Sequence, residues 1–290
     1  MIGRTPGDII ALRPLKQGVI ADFNMTREML KYLIRKAVKG KLFLKPKVVV
    51  SIPSQTTEVE KRAVHQAAIN AGAREVYLVE EPIAAAIGMG LPVQEPQGQM
   101  VIDIGGGTTD IGIIALGGIV TGQSLRIGGD NLDEYIVRYV RKNYNMMIGE
   151  RTAEDVKIQL GQAVVSEEKK YAVRGRDQVS GLPKTIEISS TELLEAMQEP
   201  LDSIVAAIRS TIERTPPELL ADIMHNKIYL TGGGALLQGM DKKIAREIGM
   251  EVSVSDTPLF DVALGTGKIL ESISLLKRII TPIRKLQAKR

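Results

Sequence analysis

The sequence contains no cysteine and no tryptophan, and its only histidines are His65 and His225. The absence of cysteine excludes disulfides, thiolate metal ligands and cysteine nucleophiles. Two histidines are too few for a site with several histidine ligands. Aromatic residues make up 3% of the chain, which disfavours nucleic-acid platforms because these stack bases on exposed rings. We therefore expect no nucleic-acid partner and a core built from aliphatic side chains.

Long apolar runs are missing as well. No run has the length of a membrane-spanning helix, and no signal-peptide core follows Met1. Together with the absence of cysteine, this pattern predicts a cytoplasmic protein. The 290 residues are 44% hydrophobic and 25% charged, which is typical of a globular chain with material for one large domain or two ordinary ones.

A glycine-rich stretch at residues 103–110 reads Asp-Ile-Gly-Gly-Gly-Thr-Thr-Asp and lies between two apolar runs. This pattern predicts a buried strand, a tight turn and a returning strand. Because glycine has no Cβ, the backbone N–H groups of Gly105, Gly106 and Gly107 would be open to a ligand. Such a turn can bind phosphate oxygens, so we interpret it as a candidate phosphate loop.

Side chains beside the glycines support the phosphate interpretation. Asp103 would end the first strand, where its carboxylate suits a hydrated Mg²⁺ ion. Thr108 and Thr109 would place two hydroxyl groups beside the same pocket. An ordinary glycine-rich hairpin is the alternative, and the triple glycine alone would favour it. The acidic residue before the glycines and the threonines after them favour a phosphate site.

Strand and helix patterns alternate on the N-terminal side of this stretch. A β-branched run at residues 48–53 predicts a strand, and Thr57 with Glu60 predicts the capped start of a helix. A second strand is predicted at residues 76–79, and Pro82 suits the first turn of an Ala-rich helix. This order indicates parallel crossovers and an α/β sheet.

Further elements follow from periodicity and capping signals. The predicted helices start at Thr26, Arg151, Thr191 and Val262, and the predicted strands of a polar hairpin cover residues 164–173 and 184–188. A later strand at residues 228–231 runs into a second triple glycine, Gly232, Gly233 and Gly234, which is followed by a helix. Because a helix N-terminus after glycines favours anions, this segment is a second candidate nucleotide loop.

Three large apolar residues, Leu42, Phe43 and Leu44, lie between lysines in a segment that Gly40 and Pro46 mark as a loop. An exposed apolar tip with a cationic rim is typical of proteins that dip into a membrane interface. Alternatively, the three side chains fold under the loop and cap the core. The sequence alone leaves both interpretations open.

Three spaced elements form a recognisable pattern: Glu80-Glu81-Pro82 before an Ala-rich helix, the hairpin at residues 103–109, and Leu-Thr-Gly-Gly-Gly-Ala at residues 230–235. The pattern resembles the actin-like ATPase superfamily and is closer still to the MreB family of bacterial actin homologues, including its Mbl paralogues. Segments that also look like MreB lie at residues 3–6, 22–23, 127–130, 149–154 and 214–219. The resemblance therefore covers nearly the whole chain.

The resemblance implies a two-lobed α/β ATPase fold of the actin-like, ribonuclease H-like kind. The implied division is a first lobe of residues 1–97 and 265–290, a second-lobe core of residues 98–131 and 197–264, and an inserted small subdomain of residues 132–196. The family holds phosphate between two hairpins, the first being an Asp-x-Gly-Thr-type turn near the N-terminus. No such turn precedes Asp103 here, so we expect an N-terminally truncated fold that binds ATP weakly.

Residue roles are implied by the same resemblance. The catalytic set would be Glu81, which orients the attacking water, Asp103, which holds Mg²⁺ through water, and Thr108. The implied ATP ligands are the phosphate loop (Gly105, Gly106, Gly107, Thr108 and Thr109), Glu154 and Lys157 around ribose and adenine, and Gly232, Gly233 and Gly234 at the adenosine. For Glu81, the alternative is a helix-end acid that the macrodipole favours.

The function implied by the resemblance is that of an ATP-binding, filament-forming protein that determines cell shape by organising cell-wall synthesis. Its partners would be further copies of itself in paired protofilaments, the cytoplasmic face of the cell membrane and the cell-wall elongation proteins of that membrane. The absence of the first loop leaves Mg²⁺-dependent ATP hydrolysis an open question for this chain. The alternatives are a non-hydrolysing scaffold, a degenerate fragment of the family, and a sugar or acetate kinase of the same fold.

Overall fold

The computed structural model of the chain describes residues 6, 8–39 and 45–272, so the predicted membrane loop at residues 42–44 lies outside the described residues. In chain order, the first elements are β1 (Leu15–Lys16), β2 (Val19–Ile20), α1 (Phe23–Ala37), β3 (Lys47–Ile52), α2 (Glu58–Asn70), β4 (Glu75–Glu80) and α3 (Glu81–Met89). The central elements are β5 (Gln99–Ile104), β6 (Thr109–Ala115), β7 (Gly118–Leu125), α4 (Gly129–Tyr144), β8 (Met146–Met147), α5 (Glu150–Leu160), β9 (Lys170–Asp177) and β10 (Pro183–Ser189). They are followed by α6 (Ser190–Glu213), α7 (Pro217–Asn226), β11 (Ile228–Thr231), a 3₁₀ turn (Gly233–Leu236), α8 (Met240–Ile248), β12 (Val252–Val254) and α9 (Asp261–Glu271).

The largest sheet contains five strands in the order β12-β11-β5-β6-β7. β6 pairs antiparallel with both β5 and β7, and its pairing with β5 confirms the predicted strand–turn–strand. β5 also pairs in parallel with β11, and the register places Thr231 beside Asp103. The two predicted glycine segments therefore leave the same edge of the sheet from neighbouring strands.

Both faces of β5 are buried, which explains its continuous apolar run. Met100, Ile102 and Ile104 pack into the main core together with side chains of α4 and α6. Val101, on the opposite face, packs with Ile83 of α3 in a second core cluster. The hairpin is thus held between two helical layers, which fix the position of its turn.

A smaller sheet consists of β3 and β4 in parallel, which confirms the predicted crossover through α2. The predicted capping box is also present, since Thr57 N donates to Glu60 Oε2 at 2.8 Å and Glu60 N donates to Thr57 Oγ1 at 3.3 Å. Side chains of α1 and α2 cover this sheet in a third core cluster that includes Ile52 and Leu78. Within the described ranges, β3 has no strand neighbour on its other edge.

Helices α3 and α9 cross and tie the small sheet to the large one. Ile269 of α9 is fully buried in the second core cluster with Ile83 and Ala84 of α3. Lys268 Nζ donates a hydrogen bond to the carbonyl oxygen of Gly88 at 2.8 Å, near the C-terminal end of α3. Such a lysine satisfies a carbonyl group that the helix itself leaves free.

The first helix begins earlier than predicted. α1 starts at Phe23 because Asp22 is its N-cap, and Asp22 Oδ1 accepts a hydrogen bond from Met25 N at 2.9 Å. Thr26, the predicted start, is buried within the first turn, and its Oγ1 donates to the carbonyl oxygen of Asp22 at 2.7 Å. Asp and Thr both suit an N-cap, so only the tertiary contacts decide between them.

The polar hairpin lies further along the chain than predicted. β9 covers Lys170–Asp177 instead of residues 164–173, whereas β10 agrees with the prediction. Gln162 explains the shift, because its Oε1 accepts from Ser166 N at 2.9 Å and its Nε2 donates to Glu167 O at 3.0 Å. These bonds keep the chain in a turn before the strand begins.

The later helices start within one residue of the predicted positions. α5 begins at Glu150, α6 at Ser190 and α9 at Asp261. For α6 the reason is a second capping box, in which Ser189 N donates to Glu192 Oε2 at 2.9 Å. Among the helices that the structure describes, none is long and apolar enough to cross a membrane.

Candidate functional site

The turn between β5 and β6 is closed by backbone hydrogen bonds. Gly105 N donates to Thr108 O at 2.8 Å. The first turn of α4 binds the loop from the side, because Gly129 N donates to Gly105 O at 3.0 Å and Asp130 N donates to Gly106 O at 2.7 Å. Gly106 itself is exposed. The predicted phosphate loop therefore has a defined shape and an open glycine at its tip.

The hairpin of β1 and β2 covers one side of this loop. Gly107 packs against the backbone of Gln17, and Gly18 packs against Thr108. Thr109 lies deeper, since it is fully buried and its Oγ1 donates to the carbonyl oxygen of Ile127 at 2.8 Å. The Thr109 hydroxyl is thus engaged within the fold, whereas Gly106 remains accessible.

Three carboxyl groups lie together behind the loop. Asp103 is 7% exposed, Asp110 is fully buried, and Glu81 lies close enough to both for their charges to interact. This arrangement depends on Gly112, because a Cβ at that position would lie 2.7 Å from Pro82 Cβ. Only glycine allows the start of α3, and with it Glu81, to approach β6 so closely.

The surroundings of these acids raise their pKa values. Burial raises the pKa of Glu81 to about 8, and the charges of Asp110 and Asp103 add to the effect. Burial likewise raises the pKa of Asp103 to about 7, with contributions from Asp110 and Asp261. The pKa of Asp110 is also raised by burial, although a hydrogen bond from Ser54 N offsets part of the effect. A cluster of this kind favours a cation or a shared proton.

Buried polar atoms that lack a hydrogen-bond partner are confined to this region. Within the part of the chain that the structure describes, the side-chain atoms without a hydrogen bond of ordinary geometry are Ser54 Oγ, Asp110 Oδ2 and Asp133 Oδ1, of which Asp133 Oδ1 has an ion-pair partner in Lys157 Nζ at 2.8 Å. Ser54 and Asp110 belong to one contact, because Ser54 N donates to Asp110 Oδ1 at 2.9 Å. Buried polar atoms are usually paired in native proteins, so this set indicates a site that a ligand completes.

The acids fit a hydrated magnesium ion better than a metal held only by protein ligands. Across residues 6, 8–39 and 45–272, no group of three or more His, Cys, Asp or Glu side chains is arranged to hold a metal ion directly. Mg²⁺ usually keeps several waters and takes one or two carboxylates together with phosphate oxygens. The carboxylate of Asp103, at the end of β5, and that of the neighbouring Asp110 are donors of that type.

Glu154 and Lys157 lie one turn apart on α5 but have different surroundings. Glu154 is exposed at a cleft of about 260 Å³, which Arg13 lines from the N-terminal segment. Lys157 is 15% exposed, and its Nζ donates to Gly129 O at 2.9 Å and lies 2.8 Å from Asp133 Oδ1. Burial raises the pKa of Asp133 to about 6 in spite of this lysine. Lys157 therefore holds the first turn of α4 against the phosphate loop.

The second glycine loop packs directly on the first. Gly232 has a φ of 83°, and a Cβ there would lie 2.3 Å from Asp103 Oδ1, so only glycine allows this approach. Thr231 Oγ1 donates to Asp261 Oδ2 at 2.6 Å, which links the loop to the start of α9. Gly233, in contrast, is exposed. Gly232 is thus required by packing, and Gly233 is the position that a ligand could reach.

Two site residues have no assigned role in the sequence pattern. Asp110 closes the glycine stretch, and Ser54 follows β3 after a single proline. Because β3 and β4 are parallel and in register from Ile52 to Glu80, their carboxyl ends meet at one edge. A polar residue at such an edge is the signal that could have identified Ser54, since ligands bind outside the carboxyl ends of parallel strands.

Two exposed apolar side chains lie on α5 and at the second glycine loop. Ile158 of α5 is 67% exposed and Leu236 at the end of the 3₁₀ turn is 58% exposed. The segments after these residues are adjacent, because Ala163 N donates to Gln238 O at 2.7 Å. Apolar residues at helical spacing resemble core positions in a sequence, so only the structure distinguishes these two.

Two glycine loops at one edge of a central sheet, with buried acids behind them and a second α/β unit packed alongside, define an actin-like nucleotide-binding fold. The crystal structure of MreB 5 of Spiroplasma citri bound to AMPPNP matches with a TM-score of 0.88 and 38% identity, over 94% of this chain and 82% of that chain. A family model described as MreB/Mbl protein matches residues 1–278. The chain belongs to the MreB/Mbl family.

Relatives with curated names agree with this assignment. The cell shape-determining protein MreB of Escherichia coli strain K12 is 50% identical over 278 residues, which are 95% of this chain and 80% of that protein. The cell shape-determining protein Mbl of Bacillus subtilis strain 168 is 48% identical over 280 residues, with 96% and 84% covered. The fold class and the family that the sequence motifs indicate are thereby confirmed.

Proposed function

We propose that this chain is an ATP-binding, actin-like protein that assembles into filaments and determines cell shape by organising cell-wall synthesis. Its relatives in E. coli and B. subtilis carry cell-shape names, and the S. citri relative has AMPPNP bound. Within this chain, the main support is the set of unpartnered buried polar atoms beside the phosphate loop. A phosphate ligand with its own Mg²⁺ would complete such a site.

Each part of ATP has a candidate position in this arrangement. The backbone N–H groups around the exposed Gly106 suit the phosphates. Glu154 lies at the cleft where ribose hydroxyls would bind, and the exposed Ile158 and Gly233 are available to the adenosine. Asp103 would hold Mg²⁺ through water, and the bound ion would neutralise phosphate charge.

Glu81 is our candidate for orienting the attacking water. Its pKa of about 8 allows it to hold or release a proton near neutral pH, which suits a group that accepts a proton from water. Thr108, 7% exposed at the end of the phosphate loop, would contact the same water or the phosphate. Phosphoryl transfer to water depends mainly on positioning and charge neutralisation, so the site needs no covalent nucleophile.

Lys157 has a different proposed role from the one that the resemblance implies. Its ammonium group contacts Asp133 and the carbonyl oxygen of Gly129, which leaves fewer of its donors for ribose or adenine. We infer that Lys157 acts on the nucleotide through the phosphate loop, to which Gly129 donates its backbone hydrogen bond. Glu154 remains the direct candidate on α5.

The implied lobes are part of the proposal as well. The sheet of β3 and β4 falls within residues 1–97, and the five-stranded sheet falls within residues 98–131 and 197–264. The small sheet of β8, β9 and β10 falls within residues 132–196. This distribution supports the division into two lobes and an inserted subdomain, with the nucleotide bound between the lobes.

Sedimentation of the purified chain tests the proposed function. We expect filaments that pellet in Mg-ATP and a saturable affinity for AMPPNP, with phosphate release that neither glucose nor acetate increases. Pelleting that is independent of nucleotide, with no phosphate release, would favour the non-hydrolysing scaffold. Failure to bind AMPPNP at millimolar concentration would contradict the nucleotide assignment.

We also propose that the filaments lie at the cytoplasmic face of the membrane and insert Leu42, Phe43 and Leu44 into it. Burial of three such side chains contributes at most roughly 1.5–3 kcal/mol each, and neighbouring lysines add about 1 kcal/mol per charge at an anionic surface. A monomer would therefore bind weakly, and assembly would strengthen binding through effective concentration. Cell-wall elongation proteins of the membrane would be neighbours on that surface.

Liposome co-sedimentation of the polymerised protein tests the membrane contact. We expect F43S/L44S to lose most of its lipid-bound fraction at unchanged filament yield. Val179 is 88% exposed and Leu182 is 64% exposed in the turn between β9 and β10, so V179S/L182S is a matched control that should keep lipid binding. Equal lipid pelleting of both double variants would assign residues 42–44 to the core.

A further inference from the structure

Arg13 connects two parts of the molecule that are distant along the chain. Its Nη1 donates a hydrogen bond to Asp130 Oδ2 at 3.2 Å, and its Nη2 lies 3.4 Å from Glu150 Oε2. Asp130 belongs to the first turn of α4, and Glu150 is the first residue of α5. One guanidinium group therefore bridges the N-terminal ends of two helices. We call these two contacts the Arg13 bridge.

The backbone beside Arg13 is fixed to the N-terminal part of the fold. Pro14 O accepts hydrogen bonds from Ala21 N at 2.9 Å and from Thr26 Oγ1 at 3.2 Å, which ties this segment to the start of α1. Gln17, four residues further along, packs against Gly107 of the phosphate loop. The base of the Arg13 side chain is thus held in place, and its far end reaches α4 and α5.

The Arg13 bridge lies at the cleft that we assign to the ribose. This cleft is lined by Arg13 and its chain neighbours together with residues of α4 and α5, which include Glu154. Its volume is about 260 Å³, and sites for small molecules typically measure roughly 300–1,000 Å³. With the bridge formed, the cleft is therefore small for a nucleotide, and withdrawal of the Arg13 side chain would enlarge it.

The exposure of the Arg13 bridge allows it to open without loss of the fold. The side chains of Arg13, Asp130 and Glu150 are 47%, 45% and 56% exposed, and ion pairs of such exposure contribute little to stability. The two acids also remain in favourable surroundings when the bridge opens, because the helix macrodipole stabilises negative charge at a helix N-terminus. The bridge is therefore a weak contact at the edge of the candidate site, which a ligand can displace.

We propose that the Arg13 bridge closes the empty nucleotide cleft and must open before ATP or ADP binds; this inference rests on the proposed nucleotide function. The bridge and the nucleotide compete for one cleft, so the bridge lowers the association rate and the affinity by the same factor. The dissociation rate is unaffected, because the bridge is already open when the nucleotide is bound. The N-terminal segment thereby inhibits nucleotide binding from within the chain.

The test compares Arg13→Gln with Glu150→Gln in the full chain. Both variants break the bridge, although they change the charge of the cleft in opposite directions. Stopped-flow mixing with ADP that carries a fluorescent group on its adenine should show faster association in both, by about three- to tenfold, since one exposed ion pair is worth a factor of about five at most. The larger increase belongs to Arg13→Gln, which loses both contacts. Dissociation should be unchanged, and AMPPNP affinity measured by calorimetry should rise with the association rate.

Two further variants make the result specific. Arg209→Gln is the matched control, because Arg209 forms an exposed ion pair with Glu247 at 3.6 Å, between α6 and α8, and does not line the cleft. It should bind nucleotide at the parental rate. The double variant R13Q/E150Q should associate no faster than Arg13→Gln alone, since both changes remove the same contact. Higher salt screens exposed ion pairs and should narrow the difference between the parent and Arg13→Gln.

The possible failures are distinguishable. If Arg13→Gln slows association while Glu150→Gln speeds it, only the charge of the cleft matters and the bridge does not close it. If Arg13→Gln releases nucleotide faster and binds AMPPNP more weakly, Arg13 is a ligand of the nucleotide and the proposal is wrong. Parental rates in both variants would also contradict it. If neither the parent nor Arg13→Gln binds AMPPNP, the nucleotide function itself fails, and the role of the bridge fails with it.

Discussion

Two groups of buried acids flank the phosphate loop, and only one of them has a cation of its own. Asp133 lies 2.8 Å from the ammonium group of Lys157. Among the residues that the structure describes, Glu81, Asp103 and Asp110 have no such cation, since burial, other acids and hydrogen-bond donors are what shift their pKa values. Lys157 therefore balances the charge of Asp133 on one side of the loop, whereas the acids on the other side have no such cation among the described residues.

The pKa values on the two sides differ in the direction that deeper burial and the lack of a nearby cation both predict. Asp133, with Lys157 beside it, has a pKa of about 6, whereas Asp103 has a pKa of about 7 and Glu81 a pKa of about 8. Each pKa unit corresponds to about 1.36 kcal/mol, so ionised carboxylates on the phosphate side oppose folding by several kcal/mol near neutral pH. We infer that Mg²⁺ and the nucleotide offset this cost when they bind.

The most severe change should be removal of the built-in cation by Lys157→Met. Asp133 is 9% exposed, so the variant leaves a buried acid without its partner, which typically costs about 3–5 kcal/mol. Lys243→Met is the matched control, because Lys243 Nζ lies 2.8 Å from an Asp202 that is 54% exposed and can rehydrate. We expect the control to lose about 1 kcal/mol or less. Urea denaturation measures both losses, and equal losses would contradict the comparison.

Removal of the charge of Glu81 or Asp103, the acids without a built-in cation, should lower the rate of turnover. Glu81→Gln and Asp103→Asn remove charges that we place around the phosphate and its water. We expect each to lower the phosphate-release rate on the order of 10²-fold, as is typical when one positioned polar group is lost where charge develops. Asp133→Asn should act mainly on KM, because its effect passes through Lys157 and the loop. If Glu81→Gln and Asp103→Asn retain the parental rate, neither residue belongs to the catalytic set.

The pH dependence of stability should be the smallest of these effects. The pKa of Glu81 rises on folding from 4.5 to about 8, so the folded state binds more protons than the unfolded state between these values. Stability is therefore highest below pH 4.5 for this group and falls as the pH rises toward 8. We expect the free energy of unfolding of the ligand-free protein to drop by roughly 2 kcal/mol between pH 6 and 7.5 through this group.

Denaturant titrations of the parent and Glu81→Gln at several pH values isolate that contribution. The variant cannot ionise at position 81, so its stability should decline less over the same interval. Saturating Mg²⁺ and AMPPNP should also flatten the profile of the parent, because the bound cation stabilises the ionised acids. Parallel profiles for the parent and the variant would show that Glu81 titrates in the same way in both the folded and the unfolded states.

Elements with local signals were predictable from the sequence. The capping box of Thr57 and Glu60 and the glycine hairpin both depend on residues within a few positions of one another. The start of α1 was not predictable, because Asp22 and Thr26 are both suitable caps and the tertiary structure selects Asp22. The sequence alone does not locate the start of a helix where two nearby residues are equally suitable N-caps.

The candidate site likewise contains some features that the sequence identifies and others that only the structure shows. The phosphate loop could be recognised because its glycines, Asp103 and the threonines are consecutive in the chain. The pairing of Lys157 with Asp133 could not be recognised, since it requires α4 and α5 to pack side by side. The burial of the Ser54 hydroxyl without a hydrogen bond of ordinary geometry is even harder to predict from the sequence, because a missing hydrogen bond can be identified only when every neighbour is known.

By itself, the sequence determined the family, the order of strands and helices, and the two glycine loops, because each of these depends on short-range pattern and composition. The tertiary structure alone decided which acids lose their water and which of them gain a cation. Glu81 and Asp110 are 29 positions apart along the chain and approach one another only because Gly112 admits Pro82 to within van der Waals distance. Desolvation depends on everything that surrounds a group in three dimensions, and for that reason the electrostatics of this site cannot be obtained from the order of its residues.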